Sequence, residues 1–207
     1  MAGLALLALA GWALQATELA DVLAESKGGL DRIAAVTREL RGCDPRRVTN
    51  VSVADVAAET HRALDQVPAE AVAGVRVIRQ IEPTAPVRCD AQLFSRVVHT
   101  LLRNAADATR LTRNPHEVHV RLSQLGPTVR LDIDDNGAGI PAAIAARIFD
   151  PFLAIKPPGD GRGLSLATSH ALVRAAGGSL SVVARPEGGS RFSMCLPAVA
   201  GQGMQAG

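Results

Sequence analysis

The chain has 207 residues, a length that allows one or two domains, and 47% of them are hydrophobic, which is enough for a substantial core. Its formal net charge of +2 gives no reason to expect a nucleic-acid or anionic-membrane partner. Cys43, Cys89 and Cys195 are too few and too far apart for a disulfide framework or a metal cluster, so we expect reduced thiols in a cytoplasmic protein.

Residues 1–45 are predicted to form a helical hairpin. Helix-forming residues run from 1 to about 26, Gly28-Gly29 interrupts them, and a second segment carries an apolar stripe at helical spacing: Leu30, Ile33, Thr37 and Leu40. Such a hairpin can pack against its own copy in a bundle, so we expect a homodimer through these helices. A hairpin that folds back onto the rest of the chain is the alternative.

The apolar start of the chain does not read as a targeting or membrane segment. No lysine or arginine precedes Lys27, so the basic region of a signal peptide is missing. The apolar run at 1–14 is also shorter than the roughly 20 residues that cross a bilayer. We therefore expect a buried helix and no membrane contact.

Residues 46–200 are predicted to form an α/β domain, followed by a frayed tail at 201–207. The periodicity predicts strands near 51–53, 75–81, 117–124, 128–135, 179–184 and 190–196. It predicts helices near 54–66, 90–110, 141–147 and 164–176. A sheet with its helices on one side gives an α+β fold, a two-layer α/β sandwich preceded by the hairpin.

The predicted helix at 90–110 carries a candidate metal ligand. Its apolar stripe consists of Leu93, Val97, Leu101, Leu102 and Ala108. Asn104 and Asp107 are three residues apart and share a face of the helix. An amide oxygen there can help to hold Mg²⁺ against phosphate oxygens, although a polar residue satisfied beside the core is the alternative.

Two glycine-containing segments suggest contact with a ligand. Asp135 ends an alternating strand and is followed by Gly137 and Gly139, which suits a buried acceptor beside a backbone that approaches a ligand closely. Further on, glycines at every second position (159, 161 and 163) run directly into an apolar helix, whose N-terminal amides favour a polyphosphate. A plain turn and a simple linker are the alternatives.

Taken in order, these segments resemble the nucleotide-binding domain of sensor histidine kinases, within the wider GHKL ATPase family. The asparagine box resembles residues 102–108, the first glycine box 135–140, the phenylalanine box 149–152, and the second glycine box 159–166. Residues 177–182 and 188–197 are similar to the terminal hairpin of that family, and 29–41 to a second dimerisation helix. The resemblance to the catalytic domain covers about 48–198.

The resemblance implies a site for ATP and Mg²⁺ between the two helices, under a lid at about 141–160. Asp135 would accept a hydrogen bond from the adenine amino group, and Asn104 would ligate Mg²⁺. Phe149 and Phe152 would anchor the lid, unless they serve only the core. The other residues implied to contact the nucleotide are Asp107, Gly137, Gly139, Ile140, Lys156, Gly161, Arg162, Gly163 and Leu164.

The chain also departs from the family pattern. Leu153, Ala154 and Ile155 replace an aromatic residue and two threonines, and Ser165 replaces a glycine of the second glycine box. Arg162 either adds a cation near the phosphates or projects into solvent. These changes leave nucleotide binding expected and make efficient phosphoryl transfer less so.

Position 100 and the histidines bear on the reaction. Family members that activate water usually carry a glutamate four residues before the metal-binding asparagine, whereas this chain has Thr100, which cannot act as a general base at neutral pH. None of the histidines (His61, His99, His116, His119 and His170) falls within the predicted hairpin, where a phosphoacceptor is expected. We read His61 as a surface residue and His170 as structural.

Two functions therefore remain open. In the first, the chain belongs to a two-component histidine kinase that passes the γ-phosphoryl group of Mg-ATP to a histidine and then to the receiver domain of a response regulator. In the second, it is a non-catalytic nucleotide-binding regulatory module or a protein similar to a histidine phosphotransfer protein. The Asp135 segment favours nucleotide binding in both.

Overall fold

The structure is a computed structural model that describes residues 26–27, 51–113, 115–153 and 163–199. The chain divides into two units, Met1–Arg41 and Gly42–Gly207, and the fold described below belongs to the second. Ser26 and Lys27 are helical. The rest of the predicted hairpin, the tail at 201–207 and three predicted site residues lie outside the described residues; these three are Lys156, Gly161 and Arg162.

The described elements are strands and helices of mixed order. The strands are β1 (Ser52–Ala54), β2 (Arg76–Ile81), β3 (Val87–Cys89), β4 (Glu117–Leu125), β5 (Thr128–Asp135), β6 (Ser179–Ala184) and β7 (Ser190–Pro197). The helices are α1 (Val56–Asp65), α2 (Ala91–Thr109), α3 (Ala142–Ala145) and α4 (Ser165–Ala175), with a 3₁₀ helix at Ala69–Val72. Within the described ranges, none of the helices combines the length and apolar character that crossing a membrane requires.

The main sheet has five strands in the order β2-β4-β5-β7-β6. Strand β2 runs parallel to β4, and the other neighbours are antiparallel. Strands β1 and β3 form a separate antiparallel pair. Strand β5 lies at the centre of the main sheet and is paired on both sides, and its last residue, Asp135, pairs with Val118 of β4.

One face of the sheet packs on the helices and the other is polar. The alternation of β5 places Val129, Leu131 and Ile133 in a core shared with Leu101 and Leu102 of α2. The intervening residues of the strand belong to the opposite face; they are Arg130, Asp132 and Asp134. The predicted two-layer α+β sandwich is confirmed.

Aspartates fix where the two longer helices before the site begin. Asp55 accepts hydrogen bonds from the amides of Ala57 and Ala58 at 3.0 and 3.1 Å, which caps α1. Asp90 accepts from the amides of Gln92 and Leu93 and caps α2 in the same way. These caps set the start of α2, and therefore the turn of the helix on which Asn104 lies.

The buried face of α2 differs from the predicted stripe. Leu93 and Ala108 are only partly buried, whereas Phe94, Val98 and Ala105 are buried. The reason is that α2 packs against α1 and α4 as well as against β5, so more of its circumference is covered than one stripe provides. The sequence also does not predict β3 or the 3₁₀ helix, since such short elements show no clear periodicity.

Candidate functional site

Asp135 ends the central strand as a buried acid. Only 1% of the residue is exposed. Its Oδ1 accepts hydrogen bonds from the amides of Gly137 at 2.8 Å and Ser190 at 3.2 Å. Among the described residues, none donates a hydrogen bond to Oδ2. One oxygen therefore holds the side chain in place and the other is left to accept from a ligand.

The environment of Asp135 disfavours its charge. Burial raises the pKa of this carboxyl above its ordinary value, and the hydrogen bonds from the Gly137 and Ser190 amides offset only part of that effect. A buried carboxyl with a free oxygen is a costly arrangement for a structural residue. Such groups cluster at binding sites, so this strand end is the candidate site.

Gly137 joins this strand end to helix α2. A side chain at Gly137 would overlap the backbone of Ala108 and Thr109, so only glycine allows the contact. The next residue, Ala138, donates its amide to the Ala108 carbonyl at 3.3 Å. The turn after Asp135 is thus seated on α2 one helical turn beyond Asn104. The second predicted glycine, Gly139, has a positive φ of +75°.

The turn between β6 and β7 closes the other side of the acid. A side chain at Gly189 would overlap the carbonyl oxygen of Asp135. The adjacent Ser190 supplies one of the two amides that hold Oδ1. The sequence assigns this segment to a hairpin and no residue of it to the site. A pair of glycines before a strand is the signal that indicates a close backbone contact here.

Asn104 presents an unsatisfied amide. Its Nδ2 is buried and has no hydrogen-bond partner among the described residues. Because the oxygen and nitrogen of an amide exchange places when the group rotates, an oxygen can equally occupy this position. An amide oxygen is a suitable ligand for Mg²⁺. The described residues contain no group of three or more histidine, cysteine or acidic side chains placed to bind a metal.

Asp107 shares the helix with Asn104 and is engaged by Arg110. The two side chains form an ion pair with Nη1 and Oδ1 2.9 Å apart. Arg110 also donates to the carbonyl oxygens of Ala71 and Ala73, both at 3.1 Å, and so ties α2 to the 3₁₀ helix. Asp107 therefore has a structural role, and its contact with a nucleotide stays a prediction.

The segment that follows the first glycine box is anchored by one aromatic residue. Ile140 and Phe149 pack against the core, and the Phe149 ring stacks on His170 of α4 with centroids 4.9 Å apart and planes inclined by 19°. The structural reading of His170 is confirmed, and His61 is exposed as predicted. Phe152 is 65% exposed with a φ of +66°, so the prediction that it anchors the lid is wrong for this structure.

The second glycine box begins helix α4. Gly163 has a φ of +65°, and a side chain there would overlap the backbone of Leu153. The Phe152 amide donates to the Gly163 carbonyl at 3.1 Å. Leu164 is 1% exposed, so only its backbone is available for the predicted ligand contact. Within the part of the chain that the structure describes, no side chain caps α4, so its first amides can bind an anion.

An arginine cluster covers the outer face of the sheet beside Asp135. The Asp134 carboxylate accepts two hydrogen bonds from Arg191, at 2.7 and 2.8 Å, and one from Arg121 at 2.6 Å. Burial acts to raise the pKa of Asp134, but the hydrogen bond from Arg191 and the charges of Arg121, Arg191 and Arg185 together hold it below its ordinary value. The pKa values of the adjacent residues Asp134 and Asp135 are therefore shifted in opposite directions.

Comparisons with known proteins agree with this geometry. The family described as histidine kinase-, DNA gyrase B- and HSP90-like ATPases matches residues 89–200. This range contains Asn104, Asp135 and Gly163.

Three known proteins illustrate the similarity. The C4-dicarboxylate transport sensor protein DctS of Rhodobacter capsulatus is 32% identical over 169 residues, which are 80% of this chain and 25% of DctS. The two-component sensor PprA of Pseudomonas aeruginosa is 40% identical over 136 residues, 59% of this chain and 14% of PprA. A structure of the mycobacterial sensor histidine kinase MprB is 28% identical, with a TM-score of 0.61, and covers 72% of this chain and 97% of that one. The chain thus spans a quarter or less of the two sensors.

Proposed function

Because the chain belongs to the histidine kinase-, DNA gyrase B- and HSP90-like ATPase family, we propose that it is the catalytic part of a two-component histidine kinase. In this proposal it binds Mg-ATP and passes the γ-phosphoryl group to a histidine, from which a response-regulator receiver domain takes it. The observation that carries the proposal is the buried Asp135, held through one oxygen and open at the other.

Asp135 recognises the adenine in this proposal. The exocyclic amino group of adenine is a donor, and Oδ2 is an acceptor without a protein partner among the described residues. The amides of Gly137 and Ser190 prevent the carboxylate from rotating away. Recognition of a donor by a fixed, desolvated acceptor discriminates strongly against bases that present an acceptor at the same place.

Asn104 and the second glycine box hold the triphosphate in this proposal. Asn104 supplies an amide oxygen to Mg²⁺, which suits a side-chain amide whose Nδ2 has no partner among the described residues. The open amides at the start of α4, together with Lys156 and Gly161, meet the phosphate oxygens. Bound Mg²⁺ would neutralise charge that develops on the phosphates during transfer.

The transfer itself needs little covalent chemistry from this chain. The bond from the γ-phosphorus to the β,γ-bridging oxygen breaks as a bond to an imidazole nitrogen forms, and ADP leaves with the electron pair. Positioning and charge stabilisation supply most of the catalysis in such reactions. Thr100 cannot activate a water molecule in place of the imidazole.

We propose that the acceptor histidine lies on a partner segment. In this proposal the protein is a cytoplasmic homodimer that associates through the predicted hairpin. It binds neither nucleic acid nor a membrane.

A second function is a nucleotide-binding regulatory module without phosphoryl transfer. The observation that favours it is the lid, where an exposed Phe152 replaces the expected aromatic anchor and Leu153 stands where the family has another aromatic residue. In this case nucleotide binding shifts the conformation of the lid and no phosphoryl group leaves the site.

Substitution of Asp135 tests the nucleotide site. In Asp135→Asn the amide oxygen can still accept from Gly137 and Ser190, but an NH₂ group replaces Oδ2 and faces the adenine amino group, donor against donor. We expect ATP binding, measured by calorimetric titration, to weaken by about 1–3 kcal/mol. The unliganded variant should remain folded at pH 7, because the substitution removes a charge that burial disfavours.

Asp132→Asn is the matched control, since Asp132 belongs to the same strand but to its opposite face, where it pairs with Arg130 and Ser193. Its ATP affinity should equal that of the unmodified chain. Equal affinities of all three proteins would refute the adenine assignment.

Labelled ATP separates the two functions. The chain is incubated with γ-labelled Mg-ATP, alone and together with a purified histidine-bearing dimerisation segment of a sensor kinase. Label that appears on histidine and is lost in acid supports the kinase, because a phosphoramidate is acid-labile. Binding of ATP with no transfer to either protein supports the regulatory module.

A further inference from the structure

Arg185 contacts the main chain of the proposed adenine-binding residue, Asp135. It lies in the turn between β6 and β7, with 21% of its side chain exposed. Its Nη1 donates to the carbonyl oxygen of Asp135 at 2.8 Å. Its Nε lies 3.9 Å from Oδ2 of Asp134, and its Nη2 lies 3.6 Å from Oε2 of Glu187. One guanidinium thus joins the turn to two consecutive residues of β5.

This contact occurs where the sheet stops holding the strand. The pairing of β5 with β7 ends at Asp134 and Arg191, so Asp135 lies one residue beyond the ladder on that side. From there the turn takes over, with Gly189 against the Asp135 backbone and the Ser190 amide on Oδ1. The Ser190 hydrogen bond is long at 3.2 Å, so it depends on how closely the turn is held.

We propose that Arg185 is a positioning residue for nucleotide recognition, which fixes the end of β5 and thereby the direction in which Oδ2 of Asp135 points. This inference rests on the proposed function of Asp135 as the adenine acceptor. The contacts of Arg185 with β5 are to the Asp135 carbonyl and the Asp134 carboxylate, so it acts through the strand end and through the distance between the turn and the strand. Its charge also lowers the pKa of Asp135, an effect that Arg185→Lys retains. Without Arg185 the turn is free to separate from the strand, the Ser190 amide is lost, and the carboxylate gains rotational freedom.

The role predicts an effect on base selectivity and not on phosphate binding. A displaced Oδ2 loses its advantage for a base with an amino group at position 6 over one with a carbonyl there. Contacts to the triphosphate come from other elements, namely α2 and the start of α4. The ratio of affinities for ATP and inosine triphosphate therefore isolates the orientation of Asp135 from general damage to the site.

The experiment compares Mg-ATP and Mg-inosine triphosphate binding to the full chain and to Arg185→Gln. We expect the unmodified chain to prefer ATP, and Arg185→Gln to reduce that preference by about fivefold or more, the equivalent of one hydrogen bond. The affinity of Arg185→Gln for inosine triphosphate should stay near that of the unmodified chain. Arg185→Lys, which keeps the charge but not the forked donor, should have an intermediate ratio.

Arg130→Gln is the matched control. Arg130 is also a partly exposed arginine on the polar face of the sheet, but it donates to Asp132 and Ser193 instead of to the strand end. Its selectivity ratio should not change. An unchanged ratio in Arg185→Gln, or in Arg185→Lys if the first variant does not fold, would overturn the positioning role. A lack of preference for ATP in the unmodified chain would instead refute the adenine assignment of Asp135.

Discussion

The rings of Phe149 and His170 stack on one another, with centroids 4.9 Å apart and planes inclined by 19°. This stack joins the segment after the first glycine box to helix α4, and therefore joins one end of the lid to the helix that follows it. Among the residues that the structure describes, it is the one stacked pair of rings observed.

Removal of this stack should loosen the lid. We expect Phe149→Ala to lower the free energy of unfolding by about 1–2 kcal/mol, because the partly buried ring loses both its packing and its aromatic partner. Nucleotide affinity should fall as well. Phe152→Ala is the control, since that ring is 65% exposed, and it should leave stability unchanged in urea unfolding. Equal losses in the two variants would contradict the assignment of Phe149 as the anchor.

The close contact at Gly189 should make that position intolerant of a side chain. Gly188 and Gly189 both have positive φ, at +96° and +80°, but a Cβ meets open space at the first and the Asp135 carbonyl at the second. We expect Gly188→Ala to cost about 1 kcal/mol of unfolding free energy through its backbone conformation alone.

Gly189→Ala adds the overlap and should cost at least about 2 kcal/mol. It should also weaken ATP binding, because the strand end that carries Asp135 must move. Urea unfolding and calorimetric titration of both variants provide the measurements. A Gly189→Ala variant no less stable than Gly188→Ala would show that the turn does not press on the strand.

Asp134 should make the domain sensitive to acid. Its pKa is held below the ordinary value of 3.8, so its contribution to stability is fully present above that value and is lost as the pH falls through the lowered pKa. Asp134→Asn lacks this contribution. We expect it to be less stable by about 1–3 kcal/mol at pH 7, because its arginine partners lose a charged acceptor. The loss is limited to this range because these arginines keep access to water.

The difference in unfolding free energy between the two proteins should narrow as the pH is lowered below 3.8. Urea unfolding at a series of pH values measures it. Asp135 is present in both proteins, and the Asp134 charge is a smaller cause of its raised pKa than burial, so Asp135 has a lesser effect on this difference. A difference that stays constant down to the acid transition would mean that Asp134 gains nothing from its arginines.

Asn104 should control the magnesium dependence of ATP binding. Asn104→Ala should abolish on the order of 10-fold or more of the affinity gained when Mg²⁺ is added, and should leave binding in EDTA unchanged. Its stability should not fall, because the amide nitrogen has no protein partner in the described structure. Gln92→Ala removes an exposed amide from the same helix and should retain the full Mg²⁺ effect. Loss of affinity in EDTA as well would indicate a role for Asn104 other than metal binding.

The sequence predicts the parts of the site that have a local signature. Asp135 ends an alternating strand and precedes two glycines, and Asn104 shares a face of a predicted helix with Asp107, so both can be identified from local sequence. Arg185 has no such local signature, because its contact with Asp135 joins residues 50 positions apart and exists only once β7 pairs with β5 and β6 pairs with β7.

Burial was harder to predict than secondary structure, for a physical reason. The periodicity of α2 predicts one stripe that includes Leu93, but packing against two further helices buries Phe94 instead. Phe152 has the aromatic side chain expected of an anchor, yet it has a positive φ and is exposed. Both outcomes depend on neighbours that are distant in the sequence, so the local periodicity of the chain does not predict them.

The contact between Leu153 and Gly163 has a consequence for how this domain can vary. The two residues lie at nearly the same point in space, since a side chain at Gly163 would overlap the Leu153 backbone and the neighbouring Phe152 amide donates to the Gly163 carbonyl. Because these two ends are close, a replacement or a longer segment at 154–162 need not displace Leu153 or Gly163. The entropic cost of closing a longer loop grows only slowly with its length. A segment transplanted from a related enzyme between Leu153 and Gly163 should leave the rest of the domain folded, which makes this a suitable junction for exchanging residues that the proposal places near the nucleotide.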